Sequence, residues 1–161
     1  MKTTRNITDF HVHTSISHDG ISPAEEYVLL AISGNDEKIA FSEHYDYDRL
    51  LDSSGSRIED LDFYYAEILR LRLKYGDIIQ ILFGIELGYD PKSCEHYAQI
   101  IEKYPFDYVI NSTHNINGKD CYLDMHSKTM TKQEAYYVCQ PRVIRTPPNR
   151  RNLRPFCQNL A

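Results

Sequence analysis

The sequence predicts an α/β chain whose strands run parallel and belong to a (β/α) barrel. Three observations carry that prediction. Strand-like and helix-like segments alternate as far as His114, glycine, proline or a helix-capping residue separates many of them, and each strand-like segment has a histidine or a carboxylate at or just past its C-terminal end. Parallel neighbours need crossover helices, so this alternation calls for a parallel sheet, and a doubly wound sheet would satisfy it as well. The placing of His13, Glu43, His44, Glu86 and His114 at or just past C-terminal strand ends favours the barrel, whose functional groups gather at that mouth.

Ile7–His13 reads as the first strand. Ser22-Pro23-Ala24-Glu25 then has the form of a capping box with proline at the first helical position, opening a helix expected to run to Ser33 and stop at Gly34. Lys38–Ser42 is a short apolar strand. Ile58, Leu61, Tyr65, Ile68 and Leu69 recur at helical spacing up to Tyr75, where Gly76 ends the run. Ile78–Glu86 is a third strand, Ser93–Tyr104 a helix broken by Pro105, and Phe106–Asn111 a fourth strand. A further capped helix is expected from Thr131-Lys132-Gln133-Glu134 through Tyr137. From Gln140 the pattern fails, with four prolines and no apolar period of either kind.

With 161 residues, 42% hydrophobic and 25% charged, the chain suits one globular domain and leaves little room for two. No apolar run approaches the roughly 20 residues of a membrane span, and Met1–Asn6 leads into a strand instead of an apolar signal core, so a cytoplasmic location is expected. Cys94, Cys121, Cys139 and Cys157 form no Cys-x-x-Cys pair and are read as free thiols. All 23 acidic residues precede Cys139, whereas Gln140–Ala161 holds five arginines and no acid, leaving a body near −10 and a tail of +5. An acidic body argues against nucleic acid as a partner of the domain surface, since phosphate contacts need a basic footprint. It suits a pocket that collects cations.

His11 and His13 alternate on a strand, share one face and can hold one ion, as imidazole nitrogens do for zinc. Taken alone they are equally two polar residues on an exposed face. Asp19 lies in a loop from which a carboxylate can reach back over the strand end. Ser42-Glu43-His44-Tyr45-Asp46 packs three ionisable side chains into four positions, which is costly without a cation or hydrogen bonds, although a solvated loop would also account for it. Glu86 ends an apolar strand and could bridge two ions, and His114 closes the fourth strand. Each residue singly has an ordinary structural explanation. Their recurrence at every predicted strand end does not.

The segments Asp9-Phe10-His11-Val12-His13-Thr14 with Ser17-His18-Asp19-Gly20, Ser42-Glu43-His44-Tyr45-Asp46, Phe83-Gly84-Ile85-Glu86-Leu87-Gly88-Tyr89 and Phe106–His114 resemble, in order, the first motifs of the PHP superfamily (polymerase and histidinol phosphatase). Among its branches the histidinol-phosphate phosphatases of histidine biosynthesis look most similar. The resemblance, spanning Thr8 to Tyr137, implies a distorted seven-stranded (β/α) barrel of which residues 1–139 form the N-terminal, incomplete part. It implies up to three divalent metals, zinc, manganese or iron. His11 and His13 would hold the first, Glu86 would bridge first and second, His114 would hold the second, and Asp19 with His44 the third, with Asp46 in support. His18, His96 and His126 match no ligand position. The implied reaction is hydrolysis of a small phosphorylated metabolite, L-histidinol phosphate, by a metal-activated water with no nucleophilic side chain.

The family pattern continues with a Gly-His-x-Asp strand end and a final Asp-x-His strand end, and neither occurs here; no histidine follows His126. A (β/α) barrel typically needs about 250 residues. The expectation is therefore a chain truncated relative to the family, in which residues 140–161 are an irregular basic tail translated out of frame. Two other readings stand beside the enzyme: an inactive fragment, and a phosphoesterase of the same superfamily acting on nucleotides.

Overall fold

A computed structural model describes residues 9–47, 60–88, 93–116, 119–120 and 142–145. Its centre is a sheet in the order β1 (Lys38–Tyr45), β2 (Gln80–Gly88), β3 (Tyr108–Ser112) and β6 (Arg142–Arg145). The first three strands are parallel and sequential, joined by α2 (Leu61–Tyr75) and α3 (Cys94–Lys103). That is the order of a barrel wall, with no reversal among these three strands. β4 (Asn115–Ile116) and β5 (Lys119–Asp120) form a short antiparallel pair.

The sequence-based boundaries shift in instructive ways. No strand forms over residues 9–14; the Ser42 amide donates to the Val12 carbonyl at 2.9 Å, a backbone bond tying this segment to the edge of β1. Helix α1 (Ala24–Gly34) lacks the capping box. Glu25 is drawn instead to α2, where Lys74 Nζ and the Tyr75 hydroxyl each lie 2.6 Å from its Oε1 and Arg70 lies 2.7 Å from its Oε2. Gly34 stays helical, and Asn35 takes the left-handed turn with φ 59°, which asparagine tolerates. The N-cap of α2 is Asp60, whose side chain accepts the Phe63 amide at 2.8 Å. β1 and β2 each run past their expected ends, to Tyr45 and Gly88. In the tail read as irregular, Arg142–Arg145 pair antiparallel with β3. An unpaired strand edge recruits backbone without requiring a long apolar period, and Val143-Ile144 is a β-branched pair. The helix expected at Thr131–Tyr137 lies outside the described residues, as do Cys121, Cys139, Cys157 and His126; Cys94 opens α3.

The pleat sorts the sheet into two faces. Ile39, Phe41, Tyr45, Ile81, Phe83, Ile85, Leu87 and Val109 join Val28 and Ala31 of α1, Tyr64, Ile68 and Leu71 of α2, and Tyr97 and Ile101 of α3 in the main core. The opposite face carries a smaller cluster of Ala40, Tyr108 and Ile110, with Leu82 against it. Tyr108 crosses over Gly84 here, where an added Cβ would lie 2.2 Å from its ring, and its hydroxyl donates to the Phe41 carbonyl at 2.9 Å. Above this apolar floor, toward the C-terminal strand ends, the same face turns polar.

Candidate metal centre

Register builds the site. His44 of β1 and Glu86 of β2 are paired partners in the parallel ladder, with Ile110 of β3 beside Glu86, so both ionisable side chains stand on the inner face at one level. Asp46 follows two residues after His44 on that face, and His114 lies just beyond β3. His11 and His13 enter along the edge of β1, and Asp19 from the loop that follows.

Glu86, 2% exposed, is the hub. Its Oε2 lies 3.0 Å from His11 Nε2, 3.2 Å from His13 Nε2 and 3.0 Å from His44 Nδ1, while Oε1 lies 3.2 Å from His114 Nε2. Yet Oε2 is a buried oxygen without a hydrogen-bond partner, as are His13 Nδ1, His44 Nδ1 and Asp46 Oδ2. Three imidazoles thus approach one carboxylate oxygen closely but without hydrogen-bond alignment, a costly arrangement for buried polar atoms. Donor atoms converging in this way suit a cation. Among the described residues every ion-pair partner of Glu86, Asp46 and Asp19 is a histidine, so no lysine or arginine supplies the positive charge.

Three overlapping sets have ligand atoms within 4.8 Å of one another: His11, His13 and Glu86; His13, Asp19 and His44; His44, Asp46 and His114. His13 and His44 stack with centroids 4.1 Å apart and an interplanar angle of 3°. Asp19 Oδ2 lies 3.2 Å from His44 Nε2. Asp46, 3% exposed, takes His114 Nδ1 at 2.6 Å, which turns Nε2 toward Glu86. Gly88 leaves the space for this contact, since a Cβ there would fall 1.6 Å from Asp46 Oδ1.

The charges respond to this crowding. Burial works to raise the Glu86 carboxyl, but His11, His114, His13 and His44 outweigh it and hold the group well below the usual carboxylate range. Burial opposes the His114 imidazolium, while Asp46 and Glu86 carry it up to about 9. His13 is raised by Glu86 against burial, and Asp19 is lowered by His44 and His13 against burial. His44 is lowered, first by burial and then by its neighbours His13 and His114, against the pull of Glu86.

All six residues predicted as ligands, His11, His13, Asp19, His44, Glu86 and His114, are thereby brought together with Asp46. His18 is exposed with its ring 5.2 Å from that of His44, and His96 stands apart, bonded to the Tyr45 hydroxyl and stacked 3.6 Å from Tyr47. The close grouping of Glu43, His44 and Asp46 is not formed: the pleat sends Glu43 to the other face, where the first loop meets it.

The PHP domain model matches residues 9–147. The chain belongs to the PHP-domain family. This PHP domain is 36% identical over 115 residues to a histidinol-phosphatase of Lactococcus lactis, covering 71% of this chain and 41% of that protein. It is 32% identical over 133 residues to a probable histidinol-phosphatase of Clostridium acetobutylicum, covering 81% and 48%. It superimposes with a TM-score of 0.69 and 31% identity on the crystal structure of the Lactococcus lactis histidinol phosphate phosphatase complexed with zinc, L-histidinol and phosphate, covering 82% of this chain and 49% of that one. The chain spans about half the length of the curated relatives it matches, and the family match reaches Pro147, beyond the domain end expected at Cys139.

The sequence alone does not assign the roles of three contributors to the site. Glu43 could have been assigned to the far face from strand alternation alone. Gly88 and Tyr97 carry no local signal, because each acts on a residue of the distant Asp46-Tyr47 pair: Gly88 accommodates Asp46, and the Tyr97 hydroxyl receives the Tyr47 amide at 3.0 Å while donating to the Gly88 carbonyl at 2.6 Å.

Proposed function

We propose that this chain carries the metal-gathering strands of a histidinol-phosphate phosphatase, hydrolysing L-histidinol phosphate to L-histidinol and phosphate in histidine biosynthesis. The observation that carries the reading is Glu86 Oε2, buried without a hydrogen bond among His11, His13 and His44. The substrate class, a small phosphorylated metabolite, is supported by the names of the relatives and by the ligands of the Lactococcus lactis enzyme.

The residues fit divalent cations such as zinc or manganese. His11, His13 and Glu86 would hold one, His13, Asp19 and His44 another, and His114 with Glu86 Oε1 a further one, while Asp46 fixes the His114 tautomer. Glu86 places one oxygen on each side of the cluster, the disposition a bridging carboxylate needs. Its depressed pKa keeps it ionised throughout the neutral range. Divalent ions so held supply an activated water and neutralise phosphoryl charge. The apolar floor of Tyr108, Ala40 and Ile110 closes the inner face beneath the cluster, leaving the strand ends as the approach for substrate. Among the described residues no helix is long and apolar enough to cross a membrane, and a cytoplasmic setting suits a biosynthetic hydrolase.

The test is phosphate release from L-histidinol phosphate with added Mn²⁺ or Zn²⁺, with a nucleoside monophosphate as comparator and metal analysis of the same sample. Turnover with at least two bound ions per chain supports the reading. Faster release from the nucleotide would reassign the substrate, and no turnover with fewer than two ions would favour an inactive fragment.

A further inference from the structure

Glu43 is an anomaly on the helix-packed face of the sheet. It is fully buried, and no lysine, arginine or histidine pairs with it among the described residues, a costly position for a carboxylate. What meets it is the loop after His13. The Thr14 amide donates to both its oxygens at 3.1 Å, and the Ser17 hydroxyl donates to Oε2 at 2.5 Å. The same hydroxyl oxygen accepts the His44 amide at 3.0 Å. Thr14 and Ser17 are themselves buried, and turns within the loop link them further: Ser17 N–H to the Thr14 carbonyl at 2.9 Å, and Gly20 N–H to the Ser17 carbonyl at 3.2 Å.

These bonds act on three ligand candidates at once. Thr14 adjoins His13, Ser17 lies two residues before Asp19, and His44 receives its bond through its own amide. The three residues so bracketed, His13, Asp19 and His44, are one of the candidate metal groups. They come from two backbone segments, the loop from His13 to Asp19 and strand β1, and the Glu43–Ser17 pair joins the two from behind the sheet.

We propose that Glu43 and Ser17 are positioning residues that set the His13, Asp19 and His44 group for a cation from the opposite face of the sheet. The inference rests on the metal reading above. Neither residue touches substrate or ion. Their effect runs through backbone amides, and a misplaced ligand weakens a site even when all ligands remain.

The experiment is zinc titration of the full chain against a competing chelator, comparing wild type with Glu43→Gln and Ser17→Ala. Glutamine keeps the volume of Glu43 but presents amide hydrogens where donors already point. Ser17→Ala removes a single hydroxyl and serves if Glu43→Gln fails to fold. Ile101→Val, which removes one methyl group of α3 from the buried core on the same face, controls for loss of stability alone. The expected result is one zinc class weakened about tenfold to a hundredfold in both positioning variants, with the class that Asp19→Ala abolishes being the one affected. Zinc binding equal to wild type in both variants would overturn the proposal while leaving the metal reading intact. Uniform weakening of every class, matched by Ile101→Val, would also overturn it, as a merely structural effect. Wild-type chain that binds no zinc would remove the metal reading, and this inference with it.

Discussion

Gly88→Ala tests how the His114 side of the centre is held. A Cβ at position 88 would fall 1.6 Å from Asp46 Oδ1 and 3.0 Å from His114 Nδ1. Ordinary carbon contacts lie near 3.5 Å, so Asp46 must retreat by about 2 Å, breaking its 2.6 Å bond to His114. In the metal-free chain the hydrogen bond to Asp46 contributes most to raising His114 to about 9 against burial; without it the imidazole falls toward the ordinary 6.5. A folded-state pKa above the unfolded value contributes stability that is fully present below 6.5 and is lost as pH rises through about 9. The full shift corresponds to about 3 kcal/mol at most, with Asp46 the leading contributor. Metal-free wild type should therefore lose stability between about pH 6 and pH 9.5, by up to about 3 kcal/mol from this group. Gly88→Ala should start less stable and flatten that slope. Urea unfolding at the two pH values and a histidine NMR titration measure both quantities. A variant whose His114 still titrates near 9, with the wild-type slope, would refute the reasoning.

Two further substitutions probe the scaffold. Gly84→Ala would drive a methyl group to 2.2 Å from the Tyr108 ring and 2.7 Å from the Phe41 carbonyl, and since the latter is backbone, relief is limited. A loss of about 1–3 kcal/mol is expected in chemical denaturation, and an unchanged midpoint would contradict it. Tyr97→Phe leaves the Gly88 carbonyl and Tyr47 amide without their hydroxyl partner in a buried setting, with an expected loss of about 1–3 kcal/mol. A loss below about 0.5 kcal/mol would mean that water or another group replaces the hydroxyl.

Much of this fold could be read from the sequence because its signals are local. Helical spacing of Leu61, Tyr65, Ile68 and Leu69 and the largely apolar run Ile78–Glu86 mark α2 and β2 without reference to anything distant. The ligand candidates were legible because parallel architecture returns each strand end to one mouth. What failed depended on partners far along the chain. The Ser22–Glu25 capping box lost Glu25 to residues of α2 about 45 to 50 positions away. The segment before Thr14 looked like a strand by alternation, yet the backbone pairing found there is the Ser42–Val12 bond. Glu43 was grouped with His44 and Asp46 by proximity in sequence, although alternation on a strand separates neighbours by the full thickness of the sheet.

That separation also sets how the gene can change. In β1 the pleat alternates core and centre: Phe41, Glu43 and Tyr45 face the helices, while Ser42 and His44, and Asp46 just past the strand, face the candidate metal centre. Inserting or deleting one residue in Lys38–Phe41, with the preceding part held in register, would exchange the faces of all that follows, delivering Glu43 to the imidazoles and His44 to the apolar layer. Length variation among descendants of this sequence should accordingly be excluded from its strands, where even a conservative single-codon indel inverts the chemistry, and confined to segments between them.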